Sequence, residues 1–257
     1  MQDWNPGQYL KFKNERTQPS IDLVERIPLR HAKKIIDIGC GPGNSTQILH
    51  IRWPSADIVG VDSSRSMIDK ARADYPDQKW DMRDAADLDT LEKYDIVFSS
   101  STLQWIPNHE LLIPRLFDMV NENGVLAVQI VDNNDSPFYK ILLRLAKSGA
   151  WRQYTSDCEQ LQYFFRPEYY YNKLCLLTQN IDLWETIYYH IMQSHKDLMD
   201  WQKYTGMRPF LANLPDDTAR KEFEREILNE CIANYPIQSD GRVLFLIKRL
   251  FFVARKS

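Results

Sequence analysis

Residues 35–62 restrict the fold more than any other stretch of the chain. They read as an apolar strand I-I-D-I, then a loop with glycine at every second position (Gly39, Gly41, Gly43). A helix follows from near Asn44, and a second apolar strand closes on Asp62. Glycine admits positive φ and lets a ligand reach the backbone. A helix that starts directly after such a turn aims its unpaired N–H groups at whatever the loop holds, which suits a carboxylate or phosphate. Asp62 stands 19 residues after Gly43. An acid at the end of the second strand can accept both hydroxyls of a ribose.

A dinucleotide loop would carry G-x-G-x-x-G. Here the third glycine arrives one residue early, and Asp37 stands two residues before the first. A pyrophosphate is repelled by an acid in that turn, whereas a ligand bearing an ammonium group tolerates one. The rival reading is a tight strand-to-helix turn that holds nothing; Asp37, Asp62 and the strand–helix–strand frame together weigh against it. These residues resemble the class I S-adenosylmethionine-dependent methyltransferases, and the order of elements from about residue 33 onward follows the same pattern. The resemblance implies S-adenosylmethionine as cofactor, leaving as S-adenosylhomocysteine, and no metal. It assigns that cofactor to Asp37, Gly39, Cys40, Gly41, Asn44, Asp62, Ser63 and Met67.

A chain of 257 residues, 44% hydrophobic, has room for one large α/β domain with a small inserted part. The net charge of −3 gives no broad basic face for nucleic acid. The four cysteines form no C-x-x-C pair and no metal-ligand spacing, so free thiols in a reducing compartment are expected. No apolar run approaches the roughly 20 residues that span a bilayer, and the first residues, M-Q-D-W-N-P-G, have no apolar signal core. A soluble cytoplasmic protein is expected, and nothing in the sequence sets an oligomeric state. G-x-S-x-G and H-E-x-x-H are both absent.

Compact apolar runs mark the strands: 34–38, 57–61, 78–82, 94–100 and 125–131, with helical segments between them. Buried parallel strands have this composition, and β/α alternation predicts a parallel sheet wrapped on both faces. A helix is expected over 20–26, another over 45–52, and one ending at Asp74. Residues 181–192 alternate as a strand, and 242–254 form another. The polar helical stretch between them reads as an insertion, set at 194–236, that covers the sheet's C-terminal edge. The whole is expected to be a single Rossmann-like domain with residues 1–30 as a covering segment. The resemblance implies seven strands in the order 3-2-1-4-5-7-6, the last of them antiparallel to its neighbours.

Further cofactor contacts fall after strands three and four. Asp84 can accept the adenine amino group and Ala85 can line the ring, with Asp87 as a rival for the first role and an ordinary surface loop as the alternative to both. The backbone from Ser99 through Ser100 to Ser101 should face the methionine end, unless those three serines only satisfy loop N–H groups. Tyr9 can close over the cofactor with Arg16 bracing it, or simply pack.

Six segments carry a narrower resemblance: D-W-N-P-G-Q-Y-L-K-F-K-N-E-R (3–16), L-Q-W-I-P-N-H (103–109), G-V-L-A-V-Q-I-V-D-N (124–133), W-E-T-I-Y-Y-H-I-M (184–192), W-x-x-x-T-G-M-R-P-F-L (201–211) and R-L-F-F-V-A-R (249–255). This set resembles the branch of the family that methylates trans-aconitate, a small polycarboxylate, giving a monomethyl ester. The branch's usual P-D-N after strand five is V-D-N here, and its F-P-R-L-F is I-K-R-L-F. Those departures leave room for another small acid, a carrier-bound malonyl group, or a sensor that binds cofactor without transferring methyl.

A carboxylate is already ionised at neutral pH, with a pKa of about 4. Methyl transfer to it therefore needs no general base, and no catalytic acid–base residue is assigned. What the pocket must supply is hydrogen-bond donors for a tricarboxylate. The candidates are Gln104 and Trp105 after strand four, Asn133 after strand five, Tyr188 and His195 around the end of strand six, and Arg208 in T-G-M-R-P-F. Against these roles stand a core position for Trp105, a surface ion pair for Arg208, and plain packing for at least one of the strand-six residues. Arg166 and Arg249 are weaker candidates.

Overall fold

In a computed structural model the chain is described at residue 4 and over 6–88, 91–133 and 135–257. Seven strands form one sheet: β1 (Lys34–Ile38), β2 (Asp57–Asp62), β3 (Lys79–Met82), β4 (Tyr94–Ser100), β5 (Val120–Asp132), β6 (Asn180–Met192) and β7 (Val243–Arg255). Their order is β3-β2-β1-β4-β5-β7-β6, as the family resemblance implies. β1 pairs parallel with β2 and with β4, β2 with β3, and β4 with β5.

The far end of the sheet reverses direction. Lys256 N–H donates to Gly124 O, while Arg249 reaches Gln129 and Lys248 reaches Asp132. Partner numbers on β5 rise as those on β7 fall, so β7 runs antiparallel to β5. Thr178 meets Arg255 and Trp184 stacks on Phe251 at 4.9 Å, so β6 also runs antiparallel to β7. The sheet is mixed and mostly parallel.

Alternation along β1 sets the layers. Asp37 points toward the Asn44–Arg52 helix, where it meets Ser45 and Thr46. Ile36 and Ile38 pack in a core with Leu112, Ile113 and Leu116 of the His109–Asp118 helix. Helices therefore cover both faces, as β/α alternation predicts.

Two boundaries differ from expectation by more than one residue. The N-terminal helix runs Lys13–Arg26 and continues through Pro19. Its buried face, Arg16, Pro19, Ser20, Leu23 and Val24, recurs at helical spacing, and that packing outweighs the proline's missing N–H. β5 starts at Val120 instead of Val125, because Val120 pairs with Tyr94 ahead of a register shift at Tyr94/Ile96. Asn123 turns the chain there at φ 65°.

The chain divides into two compact units. One holds residues 4–131, 165–186 and 249–257, with the glycine loop. The other holds 132–164 and 187–248, including the helices Pro137–Ala146, His195–Lys203, Arg208–Asn213 and Asp217–Asn234. Its core is aromatic: Phe245 lies edge-on to Phe138 and to Trp201, and Trp151 to Phe223. No helix among the described residues is long and apolar enough to cross a membrane.

Candidate functional site

The glycine loop is tied to the sheet through β2. Gly39 and Cys40 both donate their N–H to Val61 O, at 2.8 and 3.0 Å. The three glycines do different work. A Cβ on Gly39 would sit 2.0 Å from Thr102 Oγ1, and one on Gly43 would sit 2.8 Å from the Trp80 ring. Both are required by close packing of the protein on itself. Gly41 has φ 55°, and a Cβ there would meet nothing within 4 Å. It is the one glycine of the three whose bare side faces open space, and so the one a ligand can approach.

Asp62 is fixed beside it. Its Oδ2 accepts from Gly41 N–H at 2.9 Å and its Oδ1 from Ser64 N–H at 2.8 Å. Ser64 in turn caps the Arg65–Asp74 helix through Met67 N–H. Two backbone donors thus set the plane of this carboxylate at the rim of the loop.

Beneath the loop, Asp37 is fully buried. Its Oδ2 accepts from Ser45 Oγ and Thr46 Oγ1, both at 2.6 Å. Its Oδ1 is buried and has no hydrogen-bond partner among the described residues. Burial pushes this carboxyl up to about 6, against the opposing pull of the Ser45 and Thr46 hydroxyls; the charge of Asp62 adds to the rise. An acid held in this way gains from a cation, which would stabilise its ionised form. The neighbouring Cys40 is buried, and burial raises its thiol well above the ordinary range, with Asp37 and Asp62 reinforcing the shift. It is a neutral packing group and not a nucleophile.

A cleft over the loop is lined by Gly39, Cys40, Gly41, Pro42, Asn44 and Ser45 from the β1 side, by Ser100 and Ser101 from β4, and by Arg16, Thr17 and Ser20 from the N-terminal helix. Of the residues expected to hold the cofactor, Gly39, Cys40, Gly41, Asn44 and Ser101 meet in this one place, with Asp62 bonded to its edge. Arg16 is almost fully buried; it brings a guanidinium to the cleft, a fitting partner for a carboxylate.

The remaining expected cofactor residues are not among those that line the cleft. Ser63 is exposed and Met67 is buried under the helix start. Asp84 is exposed and accepts from Ala86 N–H at 2.9 Å, and Ala85 is buried. Ser99 is fully buried and gives its hydroxyl proton to Ile38 O. Tyr9 belongs to the short Pro6–Tyr9 helix, but its side chain is outside the described residues.

Of the expected substrate residues, Gln104 is buried, with Nε2 donating to Ser101 O at 2.7 Å. Trp105 lies edge-on to Trp4 at 5.5 Å. In the other unit, Asn133 accepts from Ser136 N–H through its backbone carbonyl. Tyr188 stacks with His190, which stacks on Trp201. His195 donates Nε2–H to Tyr235 O at 2.7 Å. Arg208 opens the Arg208–Asn213 helix, half-buried. Among the described residues no three His, Cys, Asp or Glu side chains gather to hold a metal.

Sequence reasoning missed Thr17, Ser20 and Ser45 on the cleft and Gln129 behind it. Gln129 had a usable signal: it is a polar residue in the middle of the apolar run L-A-V-Q-I-V, and a buried amide is placed there only with hydrogen-bond partners.

A family model described as a methyltransferase domain matches residues 12–174. The trans-aconitate 2-methyltransferase of Methylobacterium radiotolerans is 38% identical over all of this chain and all of its own length. An Escherichia coli protein of the same name is 39% identical over all of this chain and 99% of its own. Among solved structures, phosphoethanolamine N-methyltransferase 2 of Haemonchus contortus, in complex with S-adenosyl-L-methionine, is similar in fold. The TM-score is 0.58 at 15% identity, over 93% of this chain and 53% of that one.

Proposed function

Since the chain belongs to the methyltransferase-domain family, and within it to the family of the trans-aconitate 2-methyltransferases, we propose that it transfers a methyl group from S-adenosylmethionine to a carboxylate of trans-aconitate. The observation that carries the acid is the full-length similarity to curated proteins of that name. The observation that carries the cofactor is the cradle itself: an open face at Gly41, an Asp62 fixed at its rim and a buried Asp37 oxygen left to accept.

When bound, S-adenosylmethionine supplies an electrophilic sulfonium methyl. The chain's own residues bind and align. Asp62 takes the ribose hydroxyls. Asp37 answers the ammonium of the amino-acid tail, while Arg16 and the N-terminus of the Asn44–Arg52 helix answer its carboxylate. Asp84 and Ala85 are assigned the adenine. Gln104 and Trp105 are assigned the acid, and Asn133, Tyr188, His195 and Arg208 stand as further candidates from the sequence. The nucleophile arrives ionised, so no side chain need remove a proton. Rate enhancement then comes from alignment and water exclusion, which can supply roughly 7–11 kcal/mol.

We place the protein in the cytoplasm, in keeping with its unbridged cysteines. The test is incubation with methyl-labelled cofactor and a panel of acids, followed by extraction of esters. Label in a monomethyl ester of trans-aconitate is the expected result. Label on a different acid overturns the substrate, and cofactor binding without transfer to any acid turns the reading toward a sensor. Arg208→Ala should raise KM for the acid, with a loss of about 2–5 kcal/mol if the guanidinium pairs with a desolvated carboxylate. An unchanged KM removes Arg208 from the acid's contacts.

A further inference from the structure

Behind the cleft wall lies a buried polar chain. Arg249 of β7 is 3% exposed, and its Nη1 donates to Ser101 Oγ at 2.8 Å and to Gln129 Oε1 at 3.2 Å. Gln129 Oε1 also receives Ser101 Oγ at 2.8 Å and Ser100 Oγ at 3.0 Å. Ser20 Oγ reaches Ser100 Oγ at 2.9 Å. Ser20, Ser100 and Ser101 all line the cleft.

The proton positions in this chain follow from one residue. A guanidinium only donates, so the Gln129 amide must turn its oxygen, not its NH2, toward Arg249. An amide oxygen only accepts, so Ser100 and Ser101 both point their protons at it. Ser100, having directed its proton inward, accepts from Ser20. Ser20 therefore also directs its proton inward and leaves lone pairs for the cleft. We propose that Arg249 is a positioning residue for the cofactor: through Gln129 and Ser100 it sets the hydrogen-bond direction of the hydroxyl chain, so that Ser20 presents an acceptor to the ammonium of the amino-acid tail. This rests on S-adenosylmethionine as the cofactor and goes beyond it, because Arg249 itself is not among the residues lining the cleft. Ser101, held at φ 58°, is fixed by the same contacts in a backbone region that few residues other than glycine adopt.

Without Arg249 the Gln129 amide is free to turn over. Its NH2 would then face the serines, their hydroxyls would reverse, and Ser20 would present O–H to a cation.

The test uses two ligands with the same nucleoside. S-adenosylhomocysteine carries the zwitterionic tail, and 5′-methylthioadenosine lacks it. Arg249→Met should weaken S-adenosylhomocysteine about tenfold, the scale of one hydrogen bond to a charged group, and leave methylthioadenosine unchanged. Arg249→Lys, which keeps a pure donor, should restore most of the loss. Ser20→Ala should weaken the tailed ligand too, and in that background Arg249→Met should add little, since residues acting through one chain couple. Equal losses for both ligands would show that Arg249 only supports the fold, and full additivity with Ser20→Ala would break the relay; either result overturns the proposal. If Arg249→Met does not fold, the Ser20→Ala selectivity between the two ligands carries the test. A wild-type protein that binds neither ligand overturns the cofactor reading, and this proposal with it.

Discussion

Replacing Gly41 by alanine is expected to remove cofactor binding while the free protein stays folded. The reason is the asymmetry among the three glycines. At Gly41 a Cβ meets nothing within 4 Å, so the only penalty to the free protein is the left-handed backbone at φ 55°, roughly 1–2 kcal/mol. In a chain of this size that lowers Tm by only a few degrees. The same methyl occupies the space through which a ligand approaches the backbone, and it strains the N–H that holds Asp62 in place. A lost hydrogen bond to a charged group costs about 1.5–3 kcal/mol, roughly ten- to a hundredfold in affinity. Gly39→Ala is the control with the opposite signature. Its Cβ would fall 2.0 Å from Thr102 Oγ1, so it should damage the fold before it affects the ligand. Calorimetric titration with S-adenosylhomocysteine and thermal melts of both variants separate the two. Wild-type affinity in Gly41→Ala would show that the ligand does not cross that open face.

Much of the frame that carries this loop was legible in the sequence. β1 and β4 lie at 34–38 and 94–100, where their apolar runs place them, because a strand buried on both faces is bounded sharply by glycine and polar residues. The start of β5 was not legible. Asn121, Glu122 and Asn123 read as loop, yet Val120 pairs with Tyr94, a contact fixed by the neighbouring strand and not by local composition. The N-terminal helix was read short for a similar reason. Its first turns, K-N-E-R-T-Q-P, are polar and interrupted by Pro19, and only burial of Arg16 and Ser20 shows which face they present.

The candidate site divides along the same line. The glycine triplet, Asp37 and Asp62 stand within 28 residues and announce a ligand together. Which glycine faces it depends on Thr102, Trp80 and Tyr75, which come from just past the end of β4, from β3 and from the end of the Arg65–Asp74 helix. The Arg249–Gln129 contact joins positions 120 residues apart. No local pattern encodes such a pair, and the first arginine of R-L-F-F-V-A-R gives no sign that it is buried beside a serine loop.

Asp37 is expected to make cofactor affinity pH-dependent in a window that ordinary carboxylates do not reach. In the free protein its pKa is about 6, against 3.8 for an unperturbed aspartate, chiefly through burial. An ammonium beside it favours the ionised form, so binding expels the proton. Affinity for S-adenosylhomocysteine should be level above pH 6 and fall below it, by up to about tenfold per pH unit. Asp37→Asn should abolish that slope and bind weakly throughout. The stability of the free protein moves the other way. A carboxyl with a raised folded pKa contributes stability that is fully present below 3.8 and is lost as pH rises through 6. Above pH 6 the ionised group is a burden of about 3 kcal/mol, from a shift of about two pH units. Asp37→Asn keeps an oxygen for Ser45 and Thr46 and removes the buried charge, so the free variant should melt higher than wild type at pH 8 and lose that advantage by pH 4. A variant that gains stability as it loses ligand marks Asp37 as a group kept for binding. Flat wild-type affinity from pH 5 to 8, or a less stable Asp37→Asn at pH 8, would mean that this carboxylate is already satisfied in the free protein and does not answer a cation.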